Sequence, residues 1–295
     1  MQFINDGTEG GGAVPRRPLL RVSKANLIII KPKNNNALLS IRELIHYRDL
    51  LYFLTKKNFI IKYKQTLIGV TWAIIQPVMQ MLVFSVLFGK FAGIPSDNVP
   101  YPIFVYSALL PWVFFANSMS ACNNAIINHA GLLNKVYFPR IIIPLSAIGS
   151  QLIDFGLAFI ILIGIMVYYQ FSFTVGFLLI IPLLILTLLI TIGFGTLIAA
   201  LSGIYRDFRH IIPFLLSIWM FLTPIIYPPS IIGSKWKFLI QLNPMTGIVS
   251  GFRSAILNRP LEWPTLGISL LLTGLFFSMG IYYFNRSEHR FADVV

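Results

Sequence analysis

Charged and apolar positions are segregated along this chain into long uncharged runs joined by short polar segments. The first run follows Lys62-Tyr-Lys64: residues 65 to 89, 25 in all, carry no charge, and Lys90 closes it. At about 1.5 Å of rise per residue, a helix of that length crosses a hydrocarbon core of roughly 30 Å. Further runs predict spans at about 102–121, 142–168, 175–201, 211–227 and 263–285. The expected fold is therefore an all-α membrane protein with six transmembrane helices. Trp72 and Gln76-Pro77 lie inside the first run, where a proline removes one helical hydrogen bond and bends the helix.

Two stretches depart from simple crossing. Ser40-Ile-Arg-Glu43 has the spacing of a capping box. Beyond it Leu44, Tyr47, Leu51 and Leu54 share one helical face and Arg42, His46, Asp49 and Lys56 the other. That pattern predicts an amphipathic interface helix within 37–64, lying on the bilayer or, alternatively, packed on a partner. Between the fifth and sixth spans, Pro224, Pro228 and Pro229 stop the helix. Residues 234–242 and 245–257 then form apolar pieces on either side of Asn243-Pro244. They are too short to cross and too apolar for a solvated loop, so they are expected to be re-entrant outer helices. Pro228, Trp236, Asn243, Pro244 and Arg253 are the candidate outer gate.

Composition sharpens the class. The 295 residues are 56% hydrophobic and 11% charged, where soluble domains average about 25% charged. A formal charge of +13 in a soluble protein would suggest nucleic acid, but 12 of the 23 Lys and Arg precede residue 65. Clustered beside the first span, they suit anionic membrane lipid instead. With the N-terminus inside, 18 Lys and Arg fall on the inner side and five on the outer, so both termini are expected to be cytoplasmic, in a multi-pass protein of the cytoplasmic membrane. Residues 1–36, with Gly10-Gly-Gly12 and Asn34-Asn-Asn36, read as a flexible cytoplasmic tail and not as a signal peptide. The span domain is 65–286 and a cytoplasmic tail 287–295. A single cysteine, Cys122, excludes an intrachain disulfide.

The chemistry is sparse. No phosphate loop, His-Glu-x-x-His motif or paired carboxylates occur among ten acidic residues. No cofactor is expected on this chain, and any energy source belongs to another. Asp154, with Gln151 and Ser150 nearby, is an acid inside a span; a functional group and a hydrogen-bonded packing residue both remain open. The apolar joint 123–140 reads as a projecting element for a partner or as a helix end lying in the interface.

Several blocks together resemble one family. They are Tyr63-Lys-Gln-Thr-x-x-Gly-x-x-Trp-x-x-x-Gln-Pro77, Asn134-Lys-Val-Tyr-Phe-Pro-Arg140, Tyr205-Arg-Asp207, Pro224-Ile-Ile-Tyr-Pro228, Asn243-Pro244 and Gly251-Phe-Arg253. In order, over about residues 40–286, they are similar to the membrane permease of ABC exporters for O-antigen, capsular polysaccharide and teichoic acid. Members often carry an acid after Phe-Pro-Arg; this chain has Ile141. The resemblance implies a homodimer of six-span subunits with two copies of a separate ATPase, which would hold ATP and magnesium. It implies export of a polyprenyl-diphosphate-linked polysaccharide. It implies coupling to the ATPase through the 123–140 loop and the N-terminal interface helix, with Asn134, Lys135, Tyr137, Phe138, Arg140, Arg206 and Asp207 as the candidate residues. Substrate would enter near Lys62, Tyr63, Lys64 and Gln65, whose cations would attract the diphosphate or serve orientation alone. A permease for a small lipid or drug is the alternative. A membrane glycosyltransferase would need an acidic cluster that this chain lacks.

Overall fold

The computed structural model describes residues 41–288 except 65, 134 and 232, all within the unit Ala37–Val295. The expected tail 1–36, Ser40 of the capping box, Gln65, Asn134 and residues 289–295 lie outside the described residues. The described residues are helical, in the order α1 (Ile41–His46), α2 (Arg48–Tyr63), α3 (Trp72–Phe84), α4 (Tyr101–Asn128), α5 (Ala130–Leu133), α6 (Ile142–Tyr168), α7 (Ile180–Ile204), α8 (Phe208–Leu222), α9 (Ser234–Gln241), α10 (Pro244–Ile256) and α11 (Trp263–Ser287). A wider, π-helical turn over Ser85–Phe91 continues α3, and a 3₁₀ turn over Val175–Leu179 leads into α7. Prolines open α4, α10 and α11 within their first turns, where the missing N–H has no intrahelical partner to lose.

Five helical segments are long and apolar enough to cross a membrane: Gly69–Phe91, Tyr101–Asn128, Ile142–Tyr168, Val175–Ile204 and Trp263–Ser287. The run expected over 211–227 is instead the 15-residue helix α8 followed by unwound chain. At 1.5 Å per residue α8 reaches only about 22 Å. Pro224 has no N–H to continue the ladder, and Thr223 already has extended backbone, the conformation favoured before a proline. The segment nevertheless follows α4 from end to end. Near its start, the Asn123 side chain donates to the Arg209 carbonyl at 3.2 Å. Beyond its helix, the Tyr101 hydroxyl donates to the Ile226 carbonyl at 2.7 Å.

Helix α4 is the core: Ile103 through Leu110 are all buried, and Trp112 and Phe115 pack against Trp219 of α8. The segment Gly69–Phe91 around α3 is the opposite case, with Val70, Trp72, Met79, Leu82, Val83 and Leu87 on the surface. α7 and α11 meet at Gly193 and Gly280 with backbones almost touching, as small residues allow in spans.

The interface helix differs from its expected placement. Its predicted apolar face is turned inward: Leu54 is 1% exposed and Leu44, Tyr47 and Leu51 pack on the core cluster. That face docks on α6, where Asn58 donates to the Ser146 hydroxyl at 3.1 Å. A second apolar set, Tyr52, Phe53 and Ile60, stays exposed on α2.

Candidate functional site

A charged pair joins two elements that are far apart in sequence. Asp154 lies 12 positions beyond Ile142, the first residue of α6, so about 18 Å along that helix. Its Oδ2 meets Lys62 Nζ of α2 at 2.6 Å, and its Oδ1 accepts from the Tyr63 hydroxyl at 2.8 Å. Lys62 also donates to Gln151 Oε1 at 3.0 Å. The carboxylate and the ammonium side chains are only 13% and 35% exposed, and a charge drawn into a span is tolerated when paired in this way. Burial, followed by the bond and charge of Asp154, pushes the Tyr63 hydroxyl pKa up.

The sequence placed Lys62 in the headgroup layer and left Asp154 undecided; the structure makes them partners. Lys64 is exposed. On the helix-end side of this pair, Lys57, Asn58, Asn124, Asn128, His129 and Ser150 line an open cleft of about 480 Å³. On its other side Gln76, Pro77, Asn117 and Tyr63 line a smaller pocket.

Of the expected coupling residues, Arg206 and Asp207 lie in the turn between α7 and α8, just before Arg209, whose carbonyl accepts from the Asn123 side chain of α4. Ser202 of α7 donates to the Asn123 side chain at the same place. Lys135, Tyr137, Arg206 and Asp207 are exposed, Tyr137 at 70%. Phe138 is not a surface group: it is 4% exposed and belongs to the core. Arg140 turns to Glu288, whose Oε1 accepts from the Arg140 N–H at 3.2 Å and whose carbonyl accepts from Nη1. An acid is thus supplied near Arg140 from the end of α11, although the next residue in sequence is Ile141.

At the opposite end, α10 holds the unwound chain after α8. Asn243 caps α10, its Oδ1 accepting from the Met245 N–H at 3.0 Å and from Trp219 Nε1 at 2.9 Å. Its Nδ2 donates to Thr223 Oγ1 at 2.8 Å. Arg253 Nη2 donates to the Ile225 carbonyl at 2.8 Å, and the guanidinium lies 3.8 Å from the Phe104 ring centroid. Burial lowers the Arg253 pKa, with Asp97 and Tyr101 acting the other way. The Arg253 bond satisfies the Ile225 carbonyl, and the Tyr101 hydroxyl satisfies that of Ile226, both in chain that has left the helix.

Pro228 and Pro244 are buried with this group, whereas Trp236 on α9 is 65% exposed. The expected outer helices therefore differ from one another. α10 is buried along almost its whole length and α9 is a surface helix. Asn243-Pro244, part of the candidate outer gate, is a tied junction. Sequence reasoning missed the clamp around it. Asp97 is paired with Arg259 at 3.1 Å and accepts from Ser230 at 3.2 Å; it is the lone acid between the first two spans, and that isolation was the available signal. Among the described residues no three His, Cys, Asp or Glu side chains gather as a metal site.

Comparison with known proteins fits this geometry. Residues 49–257 match the family described as ABC-2 type transporter. The chain is 29% identical over 261 residues to the O-antigen export system permease protein RfbA of Myxococcus xanthus, covering 86% of this chain and 98% of that one. It is 26% identical over 253 residues to the protein of the same name from Klebsiella pneumoniae, covering 84% and 95%. The Polysialic acid transport protein KpsM of Escherichia coli is 22% identical over 223 residues, covering 73% and 85%. With its matched segment running from the interface helix to the end of α10, this chain belongs to the ABC-2 type transporter family.

Proposed function

We propose that this chain is the permease subunit of an ABC transporter that exports a lipid-linked polysaccharide, of O-antigen, capsule or teichoic acid type, across the cytoplasmic membrane. The observation that carries the reading is the near full-length similarity to two O-antigen export permeases. The substrate, in this reading, is carried on polyprenyl diphosphate. Hydrolysis of ATP belongs to a separate subunit, bound in two copies to a homodimer of this chain. Lys135, Tyr137, Arg206 and Asp207, exposed at one end of the bundle, form the docking face for that ATPase. The exposed sides of α3 and α8, including Met79, Val83, Phe214 and Ile218, meet lipid and the second copy.

The test is removal of the permease from the cell that makes it. Lipid-linked glycan is expected to accumulate inside, and glycan at the surface to disappear, until the wild-type chain is restored. Unchanged surface glycan without it would overturn the reading, and accumulation of a small lipid instead would favour the alternative cargo.

In this reading α8 and the unwound residues to 226 form the fifth of six crossings, because together they follow α4 from Asn123 to Tyr101. The positive-inside count puts the loop at Lys135 in the cytoplasm and α9 outside. Cysteines replacing Lys135 and Lys235, both exposed, are expected to react from opposite faces of the membrane in a Cys122→Ala background. Cys122 itself is buried. Labelling of both from one face would remove the crossing at α8.

A further inference from the structure

The loop that carries Lys135 and Tyr137 has little regular structure of its own. Residues 136–139 lie between α5 and α6 and belong to neither helix. Val136 and Tyr137 are exposed, so the loop is placed by what grips it further along. On one side Phe138 and Ile141 enter the core cluster. On the other stands the end of α11, itself fixed by the buried Phe284 and Ser287.

The contact with α11 is reciprocal. The Glu288 carboxylate accepts from the Arg140 backbone N–H at 3.2 Å, and the Arg140 side chain donates to the Glu288 backbone carbonyl. Each side chain serves the other residue's main chain, and each does so at a helix terminus. Arg140 stands two positions before Ile142, the first residue of α6, and α6 opens without a side-chain cap of its own. Glu288 is the C-cap of α11. A carboxylate beside the first turn of one helix and a guanidinium beside the last turn of the other both suit the helix dipoles. An exposed ion pair of the same charges would contribute little. Hydrogen bonds to backbone groups fix direction as well as distance, so this contact sets where the loop lies.

We propose that Glu288 is a positioning residue that locks the loop bearing Lys135 and Tyr137 onto the end of α11. The inference rests on the transport reading above and deepens it, because it makes the end of α11 part of the platform on which the ATPase docks. The ATPase then meets a loop already in place. Without the tie the loop spends part of its time elsewhere, and the apparent affinity for the ATPase falls by the fraction out of place.

The first arm of the test reads the loop in the permease alone. A nitroxide on Tyr137→Cys, in the Cys122→Ala background, reports the mobility of the loop. Glu288→Ala removes the acceptor and is expected to raise that mobility. Glu288→Gln keeps an oxygen acceptor on a side chain of the same length and is expected to leave it unchanged. Unchanged mobility in Glu288→Ala overturns the proposal.

The second arm reads the partner, with Tyr137 in place and binding expressed per folded permease. Glu288→Ala is expected to weaken ATPase binding about fivefold, the scale of one hydrogen bond, and Glu288→Gln to stay within about twofold of wild type. Glutamine as weak as alanine would mean that the carboxylate charge itself meets the ATPase, and overturns the positioning role. Wild-type binding by Glu288→Ala would mean that the ATPase does not depend on where the loop lies, and overturns it too. A wild-type chain that binds no ATPase would instead defeat the transport reading, while the nitroxide still decides whether Glu288 holds the loop.

Discussion

Gly280→Ala is expected to lower the stability of the protein by more than any other single methyl addition. A Cβ there would lie 2.0 Å from the Gly193 carbonyl oxygen and 2.9 Å from Thr196 Oγ1. The reciprocal change, Gly193→Ala, would set a Cβ 2.7 Å from the backbone N and Cα of Phe277. The obstacles are largely backbone, so no side chain can swing aside, and α7 and α11 must separate along their shared face. Overpacking of this kind costs about 1–3 kcal/mol and more when the backbone has to move. In membranes the loss is felt directly, because close van der Waals packing is a main source of helix association there. Thermal unfolding in detergent checks it. Gly274→Ala, on the same helix with nothing within 4 Å, is the control and is expected to unfold like wild type or later. Equal unfolding of the two variants would show that the α7–α11 contact is not as close as described.

Arg253→Ala is expected to have the next largest effect, confined to the clamp around the broken end of α8. It removes the donor to the Ile225 carbonyl and the cation over Phe104, and it leaves a cavity among residues that are fully buried. A bare buried carbonyl costs about 1–3 kcal/mol, and truncating a large core side chain costs a similar amount again. Arg253→Met fills most of the volume without the donor, so it is expected to recover the cavity share and keep the carbonyl share. Arg253→Lys is expected to fall short of wild type as well, because an ammonium lacks the flat face that stacks on the Phe104 ring. Unfolding temperature orders the three, and methionine matching arginine would remove the Ile225 bond from the account. The neighbouring pair of Asp97 and Arg259 is far more accessible, at 34% and 32% exposure, and its loss is expected to matter much less.

Both predictions turn on contacts between residues remote in sequence, and that divides what was legible from what was not. The spans were legible because partition into lipid is a local property: a run without charge long enough for the hydrocarbon core declares itself. The break after α8 was equally local, since Pro224, Pro228 and Pro229 lack the N–H that a helix needs. Only the extent of α8 was overestimated, because apolar chain continues past the point where the helical ladder stops. Two short helices between α8 and α11 could be read from their lengths and from Asn243-Pro244. That α10 is core and α9 surface could not, as both are short and partly apolar.

Partners belong to the tertiary structure alone. Lys62 and Asp154 lie 92 positions apart and Arg140 and Glu288 lie 148 apart, and no spacing rule reaches so far. The basic run before the first span announced a membrane boundary, through charge that lipid repels. Which acid would draw one of those lysines inward depended on where α2 docked. Docking is set by shape, by Thr55 against Gly149 and Leu54 in its pocket, and shape appears only when the helices have met.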